Sequence, residues 1–339
     1  MSLVCVMSDT QFDEQLSYAT IGEDGVSSRL TDAIACFDWI VDTALSRGCK
    51  RLIHLGDVFD SRTSIDVSVL DRVGRAFGRA HGLGLEMDLL AGNHDSYLRS
   101  SAINSLAPFA GMATIHDLPS TDGRFGFIPW VEDDDVFVEQ VQCLVGQKKV
   151  EYLFTHCMVE GAVPKALGVG RPLAMLRPER WRQVVLGDVH DPVVVAKNVR
   201  YCGSPMQWHY GDAGGKRGFL ILDDEKGTIE FVENTLSPRF HLVTEAKEAS
   251  PVREHDYVRL RVEDPDERVA VRAALDGLQP RQVEEDRVEL DMSAPRLSIH
   301  ARDAHEDILR RFVEHQGFAV DADDLVALGL DLLEEARNA

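Results

Sequence analysis

The chain has 339 residues, 44% of them hydrophobic, which is enough for one large domain and a smaller one. Its formal net charge of −21 argues against a basic surface that binds nucleic acid unaided, so a phosphate-rich ligand would need bound cations or a partner protein. No apolar run approaches a membrane span, the N-terminus lacks a basic signal region, and the six scattered cysteines suit buried thiols in a reducing cytoplasm.

The N-terminal third alternates between apolar strands and amphipathic helices. Strands are predicted at 4–8, 52–55 and 85–91, with helices at 29–47 and 66–80 between them. A helix that crosses over between two strands gives the βαβ unit of a parallel sheet. The sequence therefore predicts an α/β fold built on a parallel sheet.

The pattern changes after the middle of the chain. Four short strands separated by turn residues are predicted between 193 and 233. This antiparallel pattern fits the second sheet of a two-sheet sandwich, so the first domain is predicted to span residues 1–240.

A polar stretch at 236–252, flanked by prolines, marks a boundary. Beyond it, a small α/β unit is predicted at 252–300, with its last strand at 286–291. Two amphipathic helices follow at 301–339, and the second has an apolar stripe that consists of Leu325, Leu328, Leu332 and Ala336.

Polar side chains follow five of the apolar runs, just beyond the point where each strand ends. The set comprises Asp9, Gln11, Asp57, Asn93, His94, Asp95, His156, Asp188 and His190. Such groups are costly beside a core unless they are satisfied, and a divalent metal satisfies oxygen and imidazole ligands together. An Asp at a strand-to-helix junction can also cap the helix, which is the alternative for Asp57. His54, His116 and His209 are interpreted as structural.

The series Gly-Asp-x-x-Asp, Gly-Asn-His-Asp, a strand-terminal His and Gly-x-x-His resembles the calcineurin-like metallophosphoesterases. Three further segments narrow this to nuclease subunits of the SbcC–SbcD type, with phage recombination exonuclease subunits among them. These segments are Gly56–Arg62, Ile128–Trp130 and Tyr201–Pro205. The resemblance covers residues 1 to about 235 well, and it implies an αββα sandwich with a C-terminal cap domain and terminal helices.

The resemblance implies a site with two divalent metal ions and a bridging hydroxide as the nucleophile. Asp57 would bridge the two ions. The first ion would be bound by Asp9, Gln11, Asp57 and His190, and the second by Asp57, Asn93, His156 and Asp188. His94 would act as general acid or stabilise charge in the transition state, and Asp95 would orient the His94 ring.

Two positions depart from the family pattern. Gln11 and Asp188 each stand where the family usually has a histidine, so the site contains more oxygen ligands. Oxygen ligands favour Mn²⁺, with Mg²⁺ as the alternative, over Zn²⁺ or Fe. Gln11 can also be read as a non-ligating loop residue, and Asp188 as a cap or a group behind the ligands.

By resemblance, the chain is a DNA exonuclease and endonuclease subunit that acts on double-strand ends and single strands with an SMC-like ATPase of the SbcC type. A homodimer is possible, and the location would be the cytoplasm, or the host cytoplasm if a phage encodes the chain. The second terminal helix would dock on the ATPase or pack on the cap. Two alternatives stay open: a phosphomonoesterase or cyclic-nucleotide phosphodiesterase, and a non-catalytic scaffold with a degenerate metal site.

The segment 158–182 is predicted to be a long irregular loop rich in arginine. Its basic residues could contact phosphates or form part of a solvated surface; they are Arg171, Arg177, Arg180 and Arg182.

Overall fold

The computed structural model describes residues 3–97, 103–163, 170–262, 264–285, 304–316 and 322–338. The chain divides into two compact units, one that ends at Glu285 and one that begins at Asp286. Among the described helices, none combines the length and the apolar character needed to cross a lipid bilayer.

The first sheet has six strands, and four of them follow one another in the N-terminal part of the chain. These are β1 (Leu3–Met7), β2 (Arg51–His54), β3 (Glu86–Leu90) and β4 (Thr114–His116), all mutually parallel.

The second sheet also has six strands, in the order β5-β6-β7-β8-β10-β9. They are β5 (Ser120–Asp122), β6 (Phe125–Ile128), β7 (Tyr152–His156), β8 (Gln183–Gly187), β9 (Val194–Ala196) and β10 (Val199–Tyr201). β6, β7, β8 and β10 are parallel to one another, while β5 and β9 are antiparallel strands at the two edges.

The chain then returns to the first sheet. β11 (Gly218–Asp223) pairs antiparallel with β1, and β12 (Thr228–Glu233) pairs antiparallel with β11 at the sheet edge. The prediction that all the strands between 193 and 233 belong to the second sheet is therefore wrong for these two. A hairpin of two short strands can pair with the edge of either sheet, so the local sequence pattern alone does not identify its neighbour.

Three helices cover the outer faces of the sheets. α1 (Ser28–Ser46) and α2 (Val67–Gly82) share a core cluster with the first sheet, and α3 (Asp134–Val145) shares one with the second. Each begins at a side-chain cap on its first backbone N–H groups, from Ser27, Asp66 and Asp133 respectively.

The two sheets pack face to face on a common apolar layer. In β1, Val4 and Val6 belong to this inner layer, whereas Cys5 and Met7 belong to the cluster shared with the helices. Successive side chains of a strand point to opposite faces, which is how one strand supplies both layers. The result is an α/β sandwich with four layers, helix–sheet–sheet–helix, and the predicted two-sheet sandwich is confirmed.

A third, smaller sheet completes the first unit. It consists of three parallel strands, β13 (Phe240–Val243), β14 (Tyr257–Leu260) and β15 (Gln282–Glu285), with α4 (Pro265–Asp276) between the last two. Val271 and Leu275 of α4 are buried against Val258 and Leu260. The strand predicted at 286–291 lies outside the described residues, and the domain boundaries stay a prediction.

The described residues of the second unit form two helices, α5 (His305–Gln316) and α6 (Ala322–Asn338). An ion pair of 2.5 Å joins Arg310 to Asp323. In α6, Leu328 is 56% exposed and Leu332 is 57% exposed, so part of the predicted apolar stripe faces solvent.

Candidate metal centre

The predicted ligands come from strand ends of both sheets. β1, β2 and β3 run parallel in the first sheet, and β7 and β8 run parallel in the second, so within each sheet the ends of these strands lie at one edge. Hydrogen bonds join the two edges: the Asp188 backbone N–H donates to Asp9 Oδ2 at 3.2 Å, and His156 Nδ1 donates to the Leu55 carbonyl oxygen at 2.7 Å. Residues far apart in sequence therefore meet at one place.

The centre of the cluster is the His156 imidazole. Its Nε2 lies 3.0 Å from Asn93 Oδ1, 3.4 Å from Asp57 Oδ1 and 3.8 Å from Asp188 Oδ1. Ligand atoms of Asp9, Asp57 and His156 all lie within 4.8 Å of one another. Five of the seven predicted metal ligands are thus brought together.

The charges of this cluster call for a cation. His156 is fully buried, which by itself lowers the pKa of its ring, yet the carboxylates of Asp57, Asp9 and Asp188 raise that pKa well above its ordinary value. Burial raises the pKa of Asp9 and of Asp188. Asp9 Oδ1 is buried and accepts no hydrogen bond. Oxygen acceptors outnumber donors here, and a divalent cation is the kind of group that would satisfy them.

The backbone at the predicted ligands has an uncommon conformation. φ is positive at Asp9 (56°), Gln11 (39°), Asp57 (55°) and Asp188 (96°). Non-glycine residues seldom adopt this region, and where they do the surrounding structure must hold them. Here the Asp9 N–H donates to the Gly56 carbonyl oxygen and the Gln11 N–H to the Asp57 carbonyl oxygen, each at 3.0 Å. Gln11 therefore shares the constrained backbone of the centre, while its role as a ligand stays a prediction.

Three glycines leave the space that these side chains occupy. A Cβ at Gly92 would lie 2.2 Å from Asp57 Oδ1, and a Cβ at Gly56 or Gly187 would lie 2.6 or 2.7 Å from His156 Nδ1. No side chain fits at those distances. The orphaned acceptor, the oriented imidazole and this reserved space together fit a metal centre.

The two predicted catalytic residues have different surroundings. The backbone N–H of His94 donates to Asp57 Oδ1 at 2.8 Å, and its ring Nδ1 donates to the carbonyl oxygen of Asp60. Asp60 Oδ1 lies 3.9 Å from the same ring nitrogen. The His94 side chain is 28% exposed, so its ring can be reached from solvent.

The expectation that Asp95 orients the His94 ring is wrong. Asp95 Oδ2 accepts from the backbone N–H groups of Asp57 (2.8 Å) and Gly92 (2.9 Å), and Oδ1 accepts from that of Val58 (3.0 Å). Burial and the nearby Asp57 carboxylate raise the pKa of Asp95 to about 6. Asp95 ties the two ligand-bearing loops together, and Asp60 holds the His94 ring instead. The adjacent positions of His94 and Asp95 in the sequence therefore do not mean that their side chains interact.

His190 is held by a residue that the sequence pattern does not reveal. Its Nδ1 lies 3.6 Å from Asp212 Oδ1, and Asp212 in turn pairs with Arg217 at 2.9 Å. The neighbouring Trp208 donates from Nε1 to the Asp9 carbonyl oxygen at 3.2 Å. An Asp within a turn is common, so its sequence position carries no signal that could have identified Asp212.

The three histidines interpreted as structural do not behave alike. His54 is fully buried beside Thr10 Oγ1 (2.9 Å), and His116 is buried beside the Asp88 carboxylate (2.8 Å). His209 is exposed, and one of its ring nitrogens lies within 4.8 Å of ligand atoms of His190 and Asp212. The structural interpretation suits the first two only.

The arginines of the loop form hydrogen bonds and ion pairs within the protein. Arg171 is 8% exposed and donates to the Asp134 carboxylate at 2.7 Å. Arg177 pairs with Glu179, while Arg180 and Arg182 donate to backbone carbonyl oxygens. These contacts argue against a role in binding phosphates, and the buried Arg171 does not fit the alternative of a solvated surface either.

No family model matches the chain. Exonuclease subunit 1 of Enterobacteria phage T4 is 24% identical over 212 residues, which cover 57% of this chain and 59% of that protein. The SbcD subunit of nuclease SbcCD from Escherichia coli (strain K12) is 23% identical over 258 residues, which cover 62% of this chain and 64% of that protein. The chain thus spans less than two thirds of the length of the curated relatives it matches.

Solved structures with some likeness include TT1561 of Thermus thermophilus, with 13% identity and a TM-score of 0.44 over 68% of this chain and 98% of that one. Nuclease MPE of Pseudomonas putida has 17% identity and a TM-score of 0.28 over 58% of this chain and 66% of that one.

Proposed function

We propose that the chain is a calcineurin-like metallophosphoesterase of the SbcD nuclease-subunit type, which its similarity to the phage T4 and Escherichia coli nuclease subunits supports, and that it hydrolyses phosphodiester bonds at DNA ends with the help of two divalent cations. The observation that carries the proposal is the convergence of Asp9, Asp57 and His156 around a buried carboxylate oxygen that lacks a partner. A purely structural polar cluster would satisfy that oxygen.

The residues that would hold the cations are those that the resemblance to the metallophosphoesterases implies. Asp9, Gln11, Asp57 and His190 would hold one, and Asp57, Asn93, His156 and Asp188 the other. Most of these donors are oxygen atoms, which suits Mn²⁺ or Mg²⁺. Two bound divalent cations would supply Lewis acidity for an in-line displacement at phosphorus.

The protein's own groups support that reaction in two ways. Asp95 fixes the backbone of the loops that carry Asp57 and Gly92, so the Asp57 carboxylate is in position before substrate arrives. His94 donates from Nδ1 to the Asp60 carbonyl oxygen, which leaves Nε2 to exchange a proton with the leaving oxygen. The Asp60 carboxylate lies 3.9 Å from Nδ1, so its negative charge would stabilise the doubly protonated form of the His94 ring.

We further propose that an SMC-like ATPase works with this chain. The net charge of −21 leaves the chain alone poorly suited to hold DNA, so a partner that supplies basic surface would complete the binding site. The exposed Leu328 and Leu332 on α6 are the apolar groups through which such a partner could dock.

A nuclease assay tests the proposal. End-labelled linear duplex DNA, bis(p-nitrophenyl) phosphate and, in a parallel reaction, nucleotide monoesters are incubated with Mn²⁺ and either the wild-type chain or Asp57→Ala. The wild type should cleave the DNA and the diester, and Asp57→Ala should fall to the metal-free background. Asp71→Ala, an exposed helical carboxylate, is the matched control and should retain activity. Metal-dependent hydrolysis of nucleotide monoesters without cleavage of DNA would contradict the proposal.

A further inference from the structure

His209 lies beside the metal centre but belongs to none of the predicted ligand sets. Its ring centroid is 6.1 Å from that of His190, and the side chain is exposed. The residue follows Trp208, whose indole contacts the Asp9 backbone, so the His209 loop is tied to the first strand end. An exposed imidazole at this position can meet whatever binds at the centre.

The hydrogen bonds fix where the proton of the His209 ring lies. The Gly211 backbone N–H donates to His209 Nδ1 at 3.0 Å. Because Nδ1 is an acceptor, the neutral ring carries its hydrogen on Nε2. Gly211 permits this contact, since a Cβ there would lie 2.7 Å and 2.8 Å from ring atoms of His209. The ring is thus oriented as a hydrogen-bond donor.

His209, His190 and Asp212 lie close enough to suggest a separate metal site, but their contacts argue against one. Asp212 already pairs with Arg217 at 2.9 Å, and its Oδ2 accepts from the Trp208 backbone N–H at 2.7 Å. His209 has one nitrogen occupied as an acceptor and the other protonated. Arg217 already pairs with the Asp212 charge, so the trio lacks the uncompensated negative charge that would favour a cation.

We propose that His209 Nε2–H donates a hydrogen bond to a non-bridging oxygen of the bound phosphodiester, on the His190 side of the metal centre. The role rests on the proposed phosphodiesterase function. Phosphate oxygens are strong acceptors, and hydrogen bonds to charged acceptors are stronger than those between neutral groups. In a chain with 57 acidic and 36 basic residues, an N–H donor beside His190 offers an anionic substrate a hydrogen bond at a site otherwise rich in carboxylates.

Three variants separate the donor from the ring that carries it. His209→Phe keeps a ring next to Gly211 but removes the donor. His209→Gln retains an N–H donor. Gly211→Ala leaves His209 in the sequence but displaces its ring. His81→Gln is the control. His81 is exposed and lies in the last turn of α2, whereas the ligand-bearing end of β2 leads into the first turn of that helix.

Each variant is assayed with Mn²⁺ on bis(p-nitrophenyl) phosphate and on linear DNA. His209→Phe and Gly211→Ala should raise KM about tenfold while kcat stays within about threefold, as expected for loss of one hydrogen bond to a charged group. His209→Gln should recover part of the loss, and His81→Gln should match the wild type. The Mn²⁺ concentration for half-maximal activity should be the same in all of them.

Three outcomes would overturn the role. An unchanged KM in His209→Phe, with the wild type active, would contradict the contact but leave the phosphodiesterase function intact. A shifted Mn²⁺ requirement in His209→Phe would make His209 a metal ligand. A wild type that cleaves neither substrate would remove the function and the role together.

Discussion

At the scale of single residues, the shape of the candidate metal centre depends on glycines that have no side chain as well as on the ligands themselves. Gly92 lies against Asp57, and a Cβ on it would approach Asp57 Oδ1 to 2.2 Å. Both residues are tied to Asp95 through their backbone N–H groups, so neither can move aside without breaking that link. The backbone on both sides of this contact is therefore held in place.

Gly92→Ala should displace the Asp57 carboxylate and weaken metal binding. We expect the affinity for Mn²⁺ to fall by at least about tenfold, since changes close to metal ligands cost that much. Isothermal titration calorimetry on the purified chain measures it. Gly82→Ala is the control, because a Cβ at Gly82 meets nothing within 4 Å. Equal Mn²⁺ affinity in the two variants would show that the contact carries no constraint.

His94→Ala should separate catalysis from metal binding. We expect DNA cleavage to fall by about 10²–10⁴, the usual range for a general acid, with Mn²⁺ affinity within about twofold of the wild type. The loss should be smaller with bis(p-nitrophenyl) phosphate, whose leaving group needs no proton. Parallel loss of metal and activity would instead make His94 a structural support of the centre.

The sequence indicates which strand ends bear candidate ligands, because a polar residue directly after an apolar run can be recognised from the pattern alone. Asp9, Asp57 and His156 are identified in this way and lie together. The residues that hold the two neighbouring histidines cannot be recognised in this way. Asp60 contacts His94 and Asp212 contacts His190, and both contacts depend on the whole fold.

At the scale of elements, the parallel strands of the first sheet are joined by a buried polar network away from the metal centre. Arg51 in β2 makes two hydrogen bonds to Asp88 in β3, at 2.6 and 2.8 Å, and His116 in β4 donates to Asp88 at 2.8 Å. Burial would raise the pKa of Asp88, but His116 and Arg51 hold it below its ordinary value. The network thus connects three neighbouring strands through one carboxylate.

Asp88→Asn should destabilise the fold in a pH-dependent way. A carboxyl whose pKa is lower in the folded state adds stability above its unfolded pKa of about 4 and loses it as the pH falls through the folded value. We expect a cost of about 3 kcal/mol near pH 7, as for a broken buried pair, and a smaller cost near pH 3. Urea unfolding at both pH values measures this, with Asp71→Asn as the exposed control. A cost independent of pH would indicate lost packing alone.

The strands are easier to predict than their partners. Short apolar runs at 218–223 and 228–233 identify strands, yet both sheets of a sandwich offer an edge to such a hairpin. The choice depends on how Leu220 and Leu222 fill the layer between the sheets. That fit is a property of the assembled core and cannot be read from the local pattern.

At the scale of the whole molecule, the charge of −21 sets the conditions for contact with DNA. Affinity that comes from basic side chains falls steeply with salt, at a slope of about −0.9 per phosphate neutralised. The loop arginines, the obvious candidates, are bonded to the protein. Attraction through bound cations would instead depend on the metal and on its ligands.

DNA binding by the isolated chain should therefore depend on metal more than on salt. In fluorescence anisotropy with duplex DNA, Mn²⁺ should strengthen binding to catalytically inactive His94→Ala but not to Asp57→Ala. The salt slope in EDTA should correspond to fewer than about three phosphates. A steep slope in EDTA would reveal a basic surface and contradict this expectation.

The position of β11 next to β1 also bears on how the chain is made. β1 is synthesised well before residues 218–223, which form its antiparallel neighbour β11. Until then one edge of β1 is unpaired. A nascent or truncated polypeptide that stops earlier would expose this edge, whose free N–H and C=O groups can pair with other chains and cause aggregation. Polypeptides shortened before residue 218 should thus be insoluble, whatever is done to their metal ligands.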